Sequence, residues 1–181
     1  VLTLPTGGQQ RFGRRVDLLD FMQRQRASLA SAANQFDRQR QQAISLLTDP
    51  HTSHAFNVER ADPKLLERYG KNKFGLSCLM GKNLIEAGVR YVQVNLGKNS
   101  SWDTHMANFR NLKKNLLPPF DKCISALLDD MSSSGLLDET LVIVAGEFGR
   151  TPKINKDAGR DHWGPCNTMI FAGAGVQGGR V

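Results

Sequence analysis

The residues of this chain best suited to chemistry sit in two short stretches. One is Trp102-Asp103-Thr104-His105; the other runs from Glu147 through Arg150 to Asp161 and His162. Carboxylates and imidazoles emerging together are what a divalent hydrolytic site requires. Oxygen with nitrogen suits zinc or manganese, and oxygen alone suits magnesium or calcium. Such a cation would lower the pKa of water or hold a phosphoryl or sulfuryl oxygen. Arg150 offers a fixed positive charge for an anionic ester group. Each residue also has a plainer role open to it: Asp103-Thr104 is a common helix start, and Glu147 with Arg150 can form an internal ion pair. A serine nucleophile turn is absent, and Ser132-Ser133-Ser134 reads as a helix terminus. His51 and His54 lie in a polar loop, where exposure is the simpler reading than ligation.

The elements that must position these residues follow from periodicity. Residues 74–88 (FGLSCLMGKNLIEAG) predict an amphipathic helix with Leu76, Leu79, Met80, Leu84 and Ile85 on one face and Gly88 as its cap. Residues 90–96 (RYVQVNL) alternate and are β-branched, which predicts a strand ending just before Asp103 and His105. A further helix is predicted over 112–134, with Pro118-Pro119 marking a break or a new start. The apolar runs 141–145 (LVIVA) and 168–172 (TMIFA) predict strands of the kind that parallel sheets bury on both faces. Glu147 and Arg150 follow the first of these runs, with Asp161 and His162 later in the same loop. Helix, strand, helix, strand, loop, strand is the grammar of a doubly wound α/β sheet, with ligands expected at the carboxyl ends of strands. Residues 173–175 (GAG) do not open a helix and form no dinucleotide fingerprint.

The amino-terminal part is different in character. Residues 13–49 predict one or two polar-rich helices in which Leu18, Leu19, Phe21, Met22, Leu29, Phe36, Ile44 and Leu47 recur near helical period, with a stop at Asp49-Pro50. The division expected is peripheral helices over 1–50 and an α/β core with site loops over 74–181, all within a single domain. Its arginines, among them Arg11, Arg14, Arg15, Arg24, Arg26, Arg38 and Arg40, carry much of the net charge of +7. A solvated helix face accounts for them. Nucleic acid is unsupported, since aromatic residues make up only 7% and no RNA-binding or zinc-finger signature accompanies the charge; a weaker reading is an anionic-polymer surface. With 40% hydrophobic and 23% charged residues over 181 positions, the composition is that of one globular domain, and no apolar run reaches the ~20 residues that cross a bilayer. Cys78, Cys123 and Cys166 are widely spaced, so neither a disulfide framework nor a cysteine zinc site is predicted; Cys78 and Cys123 read as buried small hydrophobes. Composition assigns no oligomeric state and no compartment. Residues 1–15 carry no apolar export signal, and export of a parent chain to the periplasm stays open.

Several longer stretches resemble domain-of-unknown-function family 1501, whose members are sulfatase-like and grouped with the alkaline phosphatase superfamily. These are Phe74-Gly75, Cys78-Leu79, residues 84–92 (LIEAGVRYV), Trp102-Asp103-Thr104-His105, residues 135–142 (GLLDETLV), residues 146–155 (GEFGRTPKIN) and residues 159–163 (GRDHW). The resemblance runs from about Arg14 to Val181, and EFGRTP followed by GRDHW is its most specific part. It implies an alkaline-phosphatase-like three-layer α/β/α sandwich, of which this chain would be the carboxyl-side part, and an anionic ester substrate, phosphorylated or sulfated. Carried over by position, Asp103 and His105 resemble the superfamily's Asp-and-His ligand loop, Glu147 stands where an Asp-His pair follows an apolar strand, and Asp161 and His162 resemble the region supplying a later ligand. Two departures accompany it: Phe148 occupies the position of a ligand His, and Val1 to Gly13 offers only Thr3 and Thr6 as hydroxyls, outside any nucleophile context. The function expected is therefore a metal-dependent phosphate- or sulfate-ester hydrolase, with a non-catalytic ligand- or partner-binding relative as the alternative.

Overall fold

The structure is a computed structural model that describes residues 8–24, 31–98 and 100–179. Thr3, Thr6, Arg26 and Leu29 lie outside the described residues, as do the side chains of Leu47 and His51. The chain is mixed α/β and divides into two compact units, Val1–Asn57 and Val58–Val181.

The first unit contains α1 (Gly8–Arg24), α2 (Ser31–Thr48) and α3 (Pro50–Ala55). Arg40 of α2 reaches Asp20 of α1, Nη2 to Oδ1 at 2.5 Å. The predicted stop at Asp49-Pro50 is a helix end followed at once by a new start. Pro50 needs no amide partner in a first turn, and the Asp49 carboxylate accepts from the Thr52 amide at 3.3 Å. Leu18, Leu19, Phe21, Met22 and Phe36 are exposed.

The second unit is built on helices. A short turn at Val58–Arg60 leads to α4 (Pro63–Tyr69), α5 (Lys73–Glu86), α6 (Asn108–Asn111), α7 (Leu117–Ser133) and α8 (Leu136–Glu139). Asp62 caps α4 through the Lys64 amide at 2.9 Å, and Asn72 caps α5 through the Phe74 and Gly75 amides at 2.9 and 3.2 Å. Gly88, at φ +88°, takes the left-handed turn just past α5 that the sequence assigned to it. Val58, Tyr69, Cys78, Leu79, Cys123 and Ala126 form the buried core where α4, α5 and α7 meet, and Leu65, Phe74, Leu76, Met80 and Leu127 pack around it. Arg68 of α4 adds an ion pair to Asp130 of α7. Of the two readings of Pro118-Pro119, a break or a new helix start, the structure has the second: α7 begins at Leu117 with the prolines in its first turn. The backbone widens to a π-helical segment over Leu112–Leu116 and continues into α7, because prolines that lack amide protons sit in the first turn of α7.

The strands are β1 (Val142–Ala145), β2 (Gly149–Arg150), β3 (His162–Trp163) and β4 (Met169–Ala172). Here the structure departs from the parallel-sheet expectation. β1 pairs antiparallel with β4, Val142 opposite Ala172 and Ala145 opposite Met169, and β2 pairs antiparallel with β3. Ile143, Met169, Ile170 and Phe171 are exposed rather than buried on both faces. Residues 91–96 keep the predicted alternation, with Val92, Val94 and Leu96 turned inward and Tyr91, Gln93 and Asn95 outward. Among the described residues, however, they belong to no strand ladder. Val94 and Leu96 pack on the helical core, and Val94 lies so close to Gly81 of α5 that a Cβ there would come within 2.8 Å of it. The segment's apolar face is satisfied by a helix, which fixes its inward pattern without supplying hydrogen-bond partners.

Candidate metal centre

The path from the core to the site runs through Trp102. Its ring stacks on Phe74 of α5 at 6.2 Å and meets Phe120 of α7 edge-on at 5.8 Å, while its indole N–H donates to the Leu96 carbonyl. The next residue is Asp103, so a polar loop is anchored to the helices by an aromatic side chain beside it. Thr104 is buried, with its hydroxyl bonded to the Asn108 side chain, and His105 follows.

A second loop, residues 151–161, is stitched onto the first. The Arg160 amide donates to the Thr104 carbonyl at 3.1 Å, the Ala107 amide to Asp157 at 3.0 Å and the Asn108 amide to Ala158 at 2.9 Å. Gly159 lies against the His105 carbonyl so closely that a Cβ would sit 1.8 Å from that oxygen. Asn155 organises the contact. Its Nδ2 donates to the His105 carbonyl at 2.9 Å and to Asp161 Oδ1 at 3.1 Å, while its Oδ1 accepts from the Asp157 and Gly159 amides at 3.0 and 2.9 Å. Asn155, Gly159 and Thr151 were not singled out from the sequence. The readable signal was the turn chemistry of Asn155-Lys156-Asp157-Ala158-Gly159, in which an Asn side chain holds amides a few residues on.

The β2–β3 ladder completes the arrangement by setting Arg150 opposite His162. Arg150 Nη2 reaches Asp103 Oδ1 at 2.6 Å and the Trp102 carbonyl at 3.2 Å, and its Nη1 donates to the Arg160 carbonyl at 3.2 Å. The guanidinium thus ties both loops to β2.

Asp103, His105 and His162 converge. The Asp103 Oδ1 to His162 Nε2 distance is 2.8 Å, Asp103 Oδ1 to His105 Nε2 is 3.1 Å, and His105 Nε2 to His162 Nε2 is 3.2 Å. Asp161 stands on the other side of His105, with Oδ1 2.8 Å from Nδ1. Asp161 therefore faces the ring nitrogen that points away from the three-donor cluster. Glu147 lies exposed in the turn between β1 and β2, and among the described residues no hydrogen bond or ion pair joins it to the cluster. Phe148 packs its ring 4.3 Å from that of His162.

Electrostatics follow from these contacts. The Asp103 carboxyl is drawn down to about 2, first by its hydrogen bond to His162 and then by Arg150. Asp161 is lowered as well, by His105 first and Asn155 second. Both carboxylates are held ionised, which is the form that binds cations.

The three donors fit a cation. Ligands on a tetrahedron with bonds of about 2.0–2.1 Å stand roughly 3.3 Å apart. The observed triangle has edges of 2.8, 3.1 and 3.2 Å, a slightly contracted face of that figure. Asp161 meets His105 at Nδ1, which leaves Nε2 as the ring nitrogen beside Asp103 and His162.

Fold and site together define a mixed α/β protein with an Asp–His–His cluster assembled from one loop and the start of β3. The chain belongs to a family of proteins of unknown function, DUF1501, whose model matches residues 2–181. No curated protein and no solved structure matches it.

Proposed function

We propose that Asp103, His105 and His162 hold a divalent cation in a site that hydrolyses phosphate or sulfate esters. The observation that carries this reading is the convergence of three donor atoms, one carboxylate oxygen and two imidazole nitrogens, at 2.8, 3.1 and 3.2 Å from one another. Two imidazoles with one carboxylate favour zinc or manganese over magnesium or calcium. When bound, the cation would supply Lewis acidity toward water or an ester oxygen. The chain's own residues do the rest. Asp161 fixes the His105 tautomer, Asn155 holds Asp161 in place, and Arg150 orients Asp103 while keeping positive charge beside the cluster for an anionic ester.

The finer fold reading, a sulfatase-like, alkaline-phosphatase-like α/β/α sandwich, rests on the sequence resemblance; the antiparallel β1–β4 and β2–β3 pairs do not by themselves form its central sheet. Glu147, which no hydrogen bond or ion pair joins to the cluster among the described residues, is left out of the proposed ligand set.

The test is bound-metal analysis of wild type and His162→Ala after purification and after loading with zinc or manganese. A single cation per wild-type chain, lost in the variant, is expected; equal content in both removes His162, and no metal in either overturns the proposal. Aryl phosphate and sulfate esters, assayed with zinc, manganese, magnesium or calcium, then report turnover. Metal binding without turnover supports the second reading, a non-catalytic binding protein. Phe148 favours that reading, because its ring lies against His162 where the superfamily would place another ligand.

A further inference from the structure

The chain brings its two buried cysteines together. Cys78 lies in α5 and Cys123 in α7, 45 residues apart, and their sulfurs are 3.4 Å from one another. Both are fully buried beside Leu79, Tyr69 and Ala126. The Cys78 thiol donates to Cys123 Sγ, and the Cys123 thiol donates to the Phe120 carbonyl at 3.3 Å. Cys166, the remaining cysteine, is exposed.

A single buried cysteine packs as a small hydrophobe and implies nothing more. Two in contact from different helices are another matter. A disulfide bond is about 2.05 Å long, so the sulfurs need approach by only about 1.3 Å, shared between two side chains. We propose that Cys78 and Cys123 are a disulfide site that covalently joins α5 to α7 when the protein folds in the presence of a low-molecular-weight disulfide such as oxidised glutathione.

The step balances as ordinary thiol–disulfide exchange. One cysteine thiolate attacks a sulfur of oxidised glutathione, forming a mixed disulfide and expelling one glutathione thiolate. The second cysteine thiolate attacks the protein-side sulfur, closing the Cys78–Cys123 bond and expelling the other. Two electrons pass to glutathione, and the two cysteine protons end on its thiols. Burial dictates when this happens. In the folded core the Cys78 thiol is held up by its hydrogen bond to Cys123 and by desolvation, and no reagent reaches it. Exchange therefore precedes the docking of α5 on α7. The inference is independent of the metal reading.

The full chain is unfolded with reductant, refolded in mixtures of oxidised and reduced glutathione, alkylated and mapped with trypsin. Before alkylation the expected product is two hydrogen atoms lighter than the reduced chain; after alkylation and digestion, peptide 74–82 is joined to peptide 123–150 and Cys166 carries the alkyl group. It melts at a higher temperature than the reduced form, since a 45-residue crosslink restricts the unfolded chain. Cys166→Ser leaves the crosslink intact, and Cys78→Ser abolishes it. Native refolding with both thiols free at every glutathione ratio, or a crosslink through Cys166, overturns the proposal. Where refolding yields are low, the same map is made on protein produced in an oxidising compartment and purified without reductant, with the same two outcomes.

Discussion

Asp161 Oδ1 lies 2.8 Å from Nδ1 of His105, while Nε2 of the same ring faces Asp103 and His162. A carboxylate behind a ligating imidazole fixes which nitrogen carries the proton and raises the basicity of the other. Asp161→Ala is therefore expected to weaken zinc or manganese binding by roughly 10–100-fold without abolishing it. His162→Ala, which removes a donor, should abolish it, and Glu147→Gln should leave it unchanged. Calorimetric titration of the three variants separates these roles. Loss of affinity in Glu147→Gln would bring that residue back into the ligand set.

The depressed Asp103 carboxyl gives a pH dependence of known sign. Its pKa falls from 3.8 to about 2 on folding, by the His162 hydrogen bond first and Arg150 second. The folded state then binds fewer protons than the unfolded state between those values, so stability rises with pH across that window. The contribution is complete above about pH 5 and is lost as the pH falls through about 2. In chelator-treated protein, the Asp103 carboxyl carbon should titrate near pH 2 by NMR. Its midpoint should move up in both His162→Ala and Arg150→Ala, and further in the first. A wild-type midpoint at the ordinary value would contradict the hydrogen-bond network itself.

What the sequence made legible divides along physical lines. The helix at Lys73–Glu86, its Gly88 terminus and strand β1 were readable because apolar spacing and cap chemistry are local. Strand direction was not, since an apolar run such as 142–145 is the same in a parallel or an antiparallel pair. The alternation of 91–96 recorded which side chains turn inward and said nothing about a hydrogen-bonded partner. At the site, ligand-type residues at the ends of strand-like segments could be recognised by type. Asn155 and Gly159 carry a local turn signal, but that signal does not tell that they dock on backbone groups of a loop some 50 residues earlier. The approach of Cys78 to Cys123 is likewise a product of helix packing.

Gly159 is the sharpest test of how the two loops are joined. A Cβ at this position would fall 1.8 Å from the His105 carbonyl oxygen and 2.6 Å from the Met106 amide nitrogen, both backbone atoms that no rotamer change can move. Gly159→Ala must push residues 155–162 away from residues 103–108. The expected cost is about 1–3 kcal/mol, with metal binding lost, because Asp161 and His162 travel with the displaced loop. Circular dichroism should retain the helical signal, since the core of α4, α5 and α7 lies elsewhere. Undiminished metal affinity would show that the loops meet differently in solution.

The last test concerns where stability resides. Leu79 is fully buried between α5 and its neighbours, whereas Ile143 of β1 is 54% exposed. Truncating a buried leucine removes transfer free energy and leaves a cavity in a close-packed interior, so Leu79→Ala should cost about 2–5 kcal/mol in urea unfolding. Ile143→Ala loses little buried surface and should cost about 0.5 kcal/mol. The contrast follows from a helical core that carries the second unit while the β1–β4 ribbon contributes little burial. A cost for Ile143→Ala equal to that of Leu79→Ala would mean that something covers the ribbon's apolar face in solution, and the exposed Met169, Ile170 and Phe171 would then have to be read as an interface.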